Sequence, residues 1–160
     1  MNNIKIKPLY LKINKLKKKF WEYKKLTEMN EEEWESLCDN CGKCCMIKLE
    51  NFDTKSVNYT NISCKLLNIN NIKCTKYNKR QEIVSDCVKL TLENLELLNW
   101  MPKTCAYRRI HYGLKLLDWH PLISKNKNST IESGNSVFGK IISENQVEEE
   151  DFIKYLYDWE

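Results

Sequence analysis

The chain has little glycine or proline: four Gly and three Pro in 160 residues. That scarcity leaves no Pro/Gly/Ser-rich linker and suits one compact fold with short connections. No run of about 18 apolar residues occurs, which excludes a transmembrane helix. The first 19 residues hold seven Lys and no acid, spaced so that no apolar stretch of secretory-signal type forms. The HExxH, GxSxG, GxxxxGK[ST] and GxGxxG patterns are all missing, so the common protease, hydrolase and nucleotide-binding fingerprints are absent. Histidine is scarce too, with two residues, His111 and His120.

Charge is divided along the chain. The formal net charge is +4, but from Phe20 onward there are 19 basic and 22 acidic residues. The main part of the chain is therefore mildly acidic and does not read as a nucleic-acid-binding surface. Residues 1–19 read as a basic extension, mostly a solvated arm with weak scope for RNA, phosphate or membrane contact. Residues 20–160 read as a single domain. Lys (23), Asn (18) and Ile (14) are heavily used, which warns against assigning a function to each lysine.

Against these absences stand eight cysteines. A chain that stays in the reducing cytoplasm uses such cysteines for metal ligation more readily than for disulfides. The densest stretch is Cys38-Asp39-Asn40-Cys41-Gly42-Lys43-Cys44-Cys45. A CxxC step lets two thiolates converge on one ion across a tight turn, and Gly42 tolerates the positive φ such a turn needs. Two chained steps bring three sulfurs toward one centre. The spacing of Cys38, Cys41 and Cys44 matches the start of the run that holds iron–sulfur clusters in bacterial ferredoxins, but Lys48 stands where the fourth cysteine belongs. Cys44 and Cys45 are adjacent, so their side chains are expected to diverge by about 100° in a helix or 180° in a strand. Cys38, Cys41 and Cys44 are the first candidate ligands, with a fourth from Cys64, Cys74, Cys87 or Cys105. Together with Cys45, the eight suffice for two four-sulfur sites, or for one site plus plain thiols. Zinc, iron or an iron–sulfur cluster all suit sulfur ligands.

Local patterns suggest an α+β, helix-rich fold around an irregular, cysteine-rich, metal-stapled centre. Asn30 and Glu33 stand at capping-box spacing, so a helix is expected from about Glu31 to Cys38, with Trp34, Leu37, Cys38 and Cys41 on one face if it continues. Strands are expected over Val57–Ile62 and Glu82–Val84. Further helices are expected from Thr91 to about Leu98 and from Cys105 to Tyr112, the latter ended by Gly113. Residues 124–136 read as a loop. Ser143 and Gln146 form another capping-box pattern before an amphipathic closing helix through Val147, Ile153, Leu156 and Tyr157. His120, between Trp119 and Pro121, reads as a packed, hydrogen-bonded residue ahead of a ligand or base. His111 reads as a non-ligand, and Arg108 as a helix-surface charge.

These motifs together resemble the bacterial YcgN-type cysteine-cluster proteins, a CxxCxxCC domain associated with zinc or iron chelation. The residues that carry the resemblance are Phe20-Trp21, Glu33 to Cys38, the cluster itself, Tyr59-Thr60-Asn61 leading to Cys64, and Cys74. They continue with Asp86-Cys87, Leu90-Thr91, Glu93-Asn94-Leu95, Trp100 with Pro102, Thr104 to Arg108, and Trp119 to Leu122. The resemblance spans about residues 20–153 and leaves out the basic arm and His111. It implies a metal-chelating protein and supplies no substrate or catalytic residue. The main functional reading is thus a metal-binding protein. The alternatives are a metal- or cluster-dependent enzyme or redox protein, and a metal-stapled interaction module.

Overall fold

A computed structural model describes residues 19–159. Nearly all of the Lys-rich arm, residues 1–18, lies outside the described residues.

The first helix, α1, spans Glu31–Glu35. Its capping box is present in both directions: the Glu33 amide donates to Asn30 Oδ1 (2.9 Å) and the Asn30 amide to Glu33 Oε2 (3.1 Å). The helix stops earlier than expected. The amides of Leu37 and Cys38 reach back only three residues, to Trp34 and Glu35. Asn40 then adopts a left-handed φ of 56°, which ends any helical continuation. Trp34, Leu37, Cys38 and Cys41 therefore do not share one helical face.

After a 3₁₀ turn at Lys43–Cys45, strand β1 (Met46–Glu50) pairs antiparallel with β2 (Val57–Ser63). Strand β2 is one residue longer than the pattern predicted. Strands β3 (Leu67–Asn68) and β4 (Lys73–Cys74) form a separate small hairpin. The expected strand at Glu82–Val84 is instead part of a short helix, α2 (Arg80–Ile83), closed by the Val84 amide on the Arg80 carbonyl at 2.8 Å. A short apolar run does not distinguish the two states, and here Arg80 stacking 3.9 Å from the Tyr77 ring fixes the turn.

The expected helix after Thr91 is a 3₁₀ segment, Leu92–Asn99, interrupted at Asn94. The Asn94 side chain accepts from the Thr91 amide and donates to the Lys89 carbonyl, competing with the helical ladder. Helix α3 (Ala106–His111) follows with Cys105 as N-cap, close to expectation. Helices α4 (Pro121–Ser124) and α5 (Ser129–Glu132) fall partly where a loop was expected. Strand β5 (Ile142–Ser143) adds to β2 in parallel, giving the order β1-β2-β5. The closing segment is a 3₁₀ run, Glu149–Tyr155, and the Tyr157 amide then bonds the Tyr59 carbonyl beside β2. Helices and small sheets together make this an α+β fold, with helices shorter than the sequence suggested.

Two apolar cores form. One gathers Leu26, Leu37, Leu98, Met101, Cys105, Ala106, Tyr107 and Leu116. The other gathers Met46, Leu67, Ile72, Val137 and Trp159. The stretch from Cys38 to Cys45 runs between Leu37 in the first and Met46 in the second, so both cores fix its ends. Among the described residues, no helix is long and apolar enough to cross a membrane.

Candidate metal centre

Two tertiary contacts shape the cysteine loop first. Gly42 has φ 82°, and a Cβ there would lie 2.6 Å from both Ile72 Cγ2 and Val137 Cγ2. Only glycine satisfies both the backbone conformation and that approach. The carbonyl of Cys41 accepts the Val137 amide at 2.9 Å and the Ser136 hydroxyl at 3.2 Å. Asp39 is buried, and its Oδ1 accepts the Cys41 amide at 3.1 Å, tightening the turn.

All eight cysteines are free thiols. Cys38 and Cys44 open to solvent on one side, Cys105 is buried, and the other five are half-buried. Cys105 reaches the loop from α3: Lys43 Nζ lies 3.4 Å from Thr104 Oγ1, and the Tyr107 hydroxyl donates to the Trp34 carbonyl at 2.9 Å. Cys64 approaches from β2, its amide bonded to the Cys45 carbonyl at 2.9 Å. The Leu67 amide bonds the Cys64 carbonyl, and Leu67 pairs with Cys74 across the β3–β4 hairpin. Cys87 closes the turn after α2 through its amide on the Val84 carbonyl.

Cys44 and Cys45 depart from expectation. Their Sγ atoms lie 3.9 Å apart, turned toward each other. The divergence rule describes Cα–Cβ directions within a regular element. Here Cys45 ends a 3₁₀ turn and Met46 begins a strand, so the pair straddles a junction and rotation about χ1 brings the sulfurs together.

The thiols influence one another. Desolvation in the crowded protein surround raises Cys38 to about 12, and the neighbouring Cys44 adds to the rise. Cys41 is pushed well above the usual thiol range by burial, then by Asp39 and Cys44. Burial raises Cys105 to about 11, again with a contribution from Cys44. Cys44 is held down, to about 7, by its hydrogen bond with the Cys45 thiol and by the Lys48 ammonium nearby. Burial also raises Cys64 and Cys87; the Cys74 thiol raises both further, and Cys44 adds to the rise at Cys87. Among the described residues, however, no three His, Cys, Asp or Glu side chains already stand close enough together to hold an ion.

Lysines beside the cluster play unequal parts. Lys43 lies inside the motif but turns away from the sulfurs: it is 3 % exposed and donates to the Trp159 carbonyl at 2.8 Å. Lys48 faces the thiols, as Arg80 does at Cys87. The Lys48 Nζ donates to the carbonyls of Cys44 (2.7 Å) and Met46 (2.8 Å) and lies 4.9 Å from the Trp100 ring centroid. The register of β1 against β2 shifts between Met46 and Lys48, the local kink from which Lys48 turns back. Sequence reading passed over Lys48 except as a missing cysteine, and passed over Asp39 altogether. The one available signal was their position within and just after the motif.

His120 is 3 % exposed. Its Nε2 lies 3.0 Å from the Leu37 carbonyl, and its Nδ1 accepts the Leu122 amide at 3.1 Å. A carbonyl only accepts, so Nε2 carries the proton and Nδ1 offers its lone pair to Leu122. Both nitrogens are committed, which leaves none for a metal and makes His120 a structural partner of the residue before Cys38. Arg108 is half-buried and bonds the Met101 carbonyl, in place of the exposed position expected. His111 is exposed at the end of α3, against the Tyr112 ring.

Comparison with known proteins follows the same residues. A family profile described as "CxxCxxCC: Putative zinc- or iron-chelating domain" matches residues 37–106, from the residue before Cys38 to the one after Cys105. A UPF0260 protein of Cellvibrio japonicus is 48 % identical over 140 residues, covering 88 % of this chain and 95 % of the relative. UPF0260 proteins of Rhizobium etli (45 % identical, 88 % and 89 % covered) and Shewanella denitrificans (48 % identical, 80 % and 88 % covered) are similar. No solved structure matches. With near-half identity across almost the full length of such relatives, this chain belongs to the UPF0260 family.

Proposed function

We propose that this protein binds zinc or iron through its cysteine thiolates, and that the site comprises Cys38, Cys41, Cys44, Cys45, Cys64, Cys74, Cys87 and Cys105. The observation that carries the reading is that eight uncrosslinked thiols come from five separate segments, and that thiols of different segments lie near enough to influence one another's ionisation. The family description, zinc- or iron-chelating, points the same way. The donor chemistry fits either metal, because all-sulfur ligation serves zinc and iron–sulfur centres alike. The thiols are not yet at ligating distance from a common point, but each has a single χ1 torsion with three staggered wells. They regroup around an ion by rotation, and the metal drives their ionisation.

Zinc would make the site closed and structural, with its binding energy contributing to folding. An iron–sulfur cluster would instead carry electrons. Residues 20–160 form the metal-binding domain on this reading, in a cytoplasmic protein, and residues 1–19 are a dispensable basic extension. Anaerobic purification with metal analysis and a visible spectrum tests it. Stoichiometric zinc in a colourless protein, or iron with sulfide and broad visible absorption, is the expected result. A protein isolated without metal that also takes up none would overturn the proposal. Cys38→Ser is expected to lose metal, and removal of residues 1–19 to leave the metal content unchanged.

A further inference from the structure

We infer that the cleft between the two apolar cores binds a small planar, apolar molecule that carries a carboxylate or a phosphate, and that Arg108 receives its charge.

The cleft lies where the cores meet, with Met101 of the first and Trp159 of the second both in its walls. Strand β2 forms one side, the segment after Leu92–Asn99 a second, and the end of the chain a third. It is open to solvent and measures about 870 Å³, and none of the eight cysteines lines it. Pockets that hold small ligands span roughly 300–1,000 Å³. Two of its aromatic residues are fixed to each other, since the Tyr59 hydroxyl donates to the Trp100 carbonyl at 2.7 Å. Tyr157 is 41 % exposed, its ring 4.3 Å from that of Trp159, and Leu156 beside it is 47 % exposed. The fold leaves this apolar and aromatic surface uncovered, and it suits a flat apolar body.

Arg108 gives the cleft its charge. It enters from α3 and donates to the Met101 carbonyl, part of the same wall. That bond occupies only one of its N–H donors, and among the described residues no carboxylate and no other acceptor engages the rest. Arg108 is half-buried. A guanidinium partly withdrawn from water without a counter-ion bears a desolvation cost, which a bound oxyanion offsets. Arginine only donates, so the ligand must bring acceptors, and the planar fork matches the paired oxygens of a carboxylate or phosphate. Lys55 adds a second cation, loosely paired with Glu50 at 3.9 Å. Asp158 also lines the cleft and disfavours ligands of high negative charge. The set selects one anionic head on an apolar body.

Calorimetric titration of the full-length chain with 2-naphthoate, 2-naphthyl phosphate and the neutral 2-naphthamide gives the test. At least one anion is expected to bind about tenfold or more tightly than the amide, the effect of a charge-assisted hydrogen bond. The tighter of the two anions tells a carboxylate ligand from a phosphate. Arg108→Met is expected to abolish the preference over the amide, and Tyr157→Ala to weaken every probe severalfold. Binding of neither anion, or equal binding of anions and amide by the parent chain, overturns the inference. So does Arg108→Met that keeps the native far-ultraviolet circular dichroism and the full preference. Should that variant fail to fold, Tyr157→Ala, at an exposed position, decides the location: unchanged affinity there overturns it. No readout depends on the thiols, so a failure here leaves the zinc or iron proposal standing.

Discussion

His120 holds the Leu37 carbonyl at 3.0 Å across 83 residues of chain, and Leu37 is the residue before the first cysteine of the cluster. Through this bond, α4 fixes the start of the cysteine loop. The imidazole is kept neutral, since burial pushes its pKa below the ordinary 6.5. As pH falls below about 6.5, the unfolded chain takes up a proton that the folded chain refuses. Stability is therefore expected to decline on acidification from that point down through the depressed folded pKa. His120→Gln is expected to cost about 1–3 kcal/mol at neutral pH and to remove this part of the slope. Urea unfolding of the metal-free protein at several pH values checks it; an unaltered slope in the variant would refute the assignment.

Gly42→Ala places a Cβ 2.6 Å from two buried methyl groups at a backbone φ of 82°. Left-handed strain and overpacking add, for an expected loss of about 2–4 kcal/mol. The shift in denaturation midpoint measures it. A variant as stable as the parent would show that the loop relaxes freely, against the present account of how it is shaped.

Cys44 is held near neutrality, at about 7, by the Cys45 thiol and then Lys48. In the metal-free chain it is expected to react first with iodoacetamide at pH 7.0–7.5, ahead of Cys38 and Cys41, because the thiolate is the nucleophile. Lys48→Met is expected to slow that reaction severalfold. Mass-spectrometric mapping of early labelling decides the matter: modification of Cys38 before Cys44 would contradict the electrostatic arrangement.

Trp159 packs with Met46, Ile72 and Val137, and its Nε1 donates to the Thr60 carbonyl at 2.9 Å. Trp159→Ala is expected to cost about 3–5 kcal/mol, and Trp159→Phe, which keeps most of the packing but loses the hydrogen bond, about 1 kcal/mol. Thermal unfolding of both variants separates the two contributions. Equal losses would mean that the hydrogen bond, and not the packing, anchors this end of the chain.

The sequence by itself determined what depends on residue type and short spacing. Four thiols in a CxxCxxCC run, with four more downstream, set the donor chemistry; Asn30 and Glu33 defined a helix start; Gly42 defined a left-handed turn. Each is a matter of a few consecutive residues and the angles they permit. Helix length was legible only where nothing local competed: the Asn94 side chain and the left-handed backbone at Asn40 ended elements that periodicity alone extended.

Only the tertiary structure decided the rest. His120 was committed at both nitrogens by Leu37 and Leu122, and Lys48, not Lys43, was turned toward the sulfurs. Cys44 and Cys45 met at a junction between two kinds of backbone, where no single periodicity applies. Which cysteines of distant segments approach one another depends on backbone bonds and core contacts summed over the whole fold. Many weak interactions set that sum, and no local pattern encodes it.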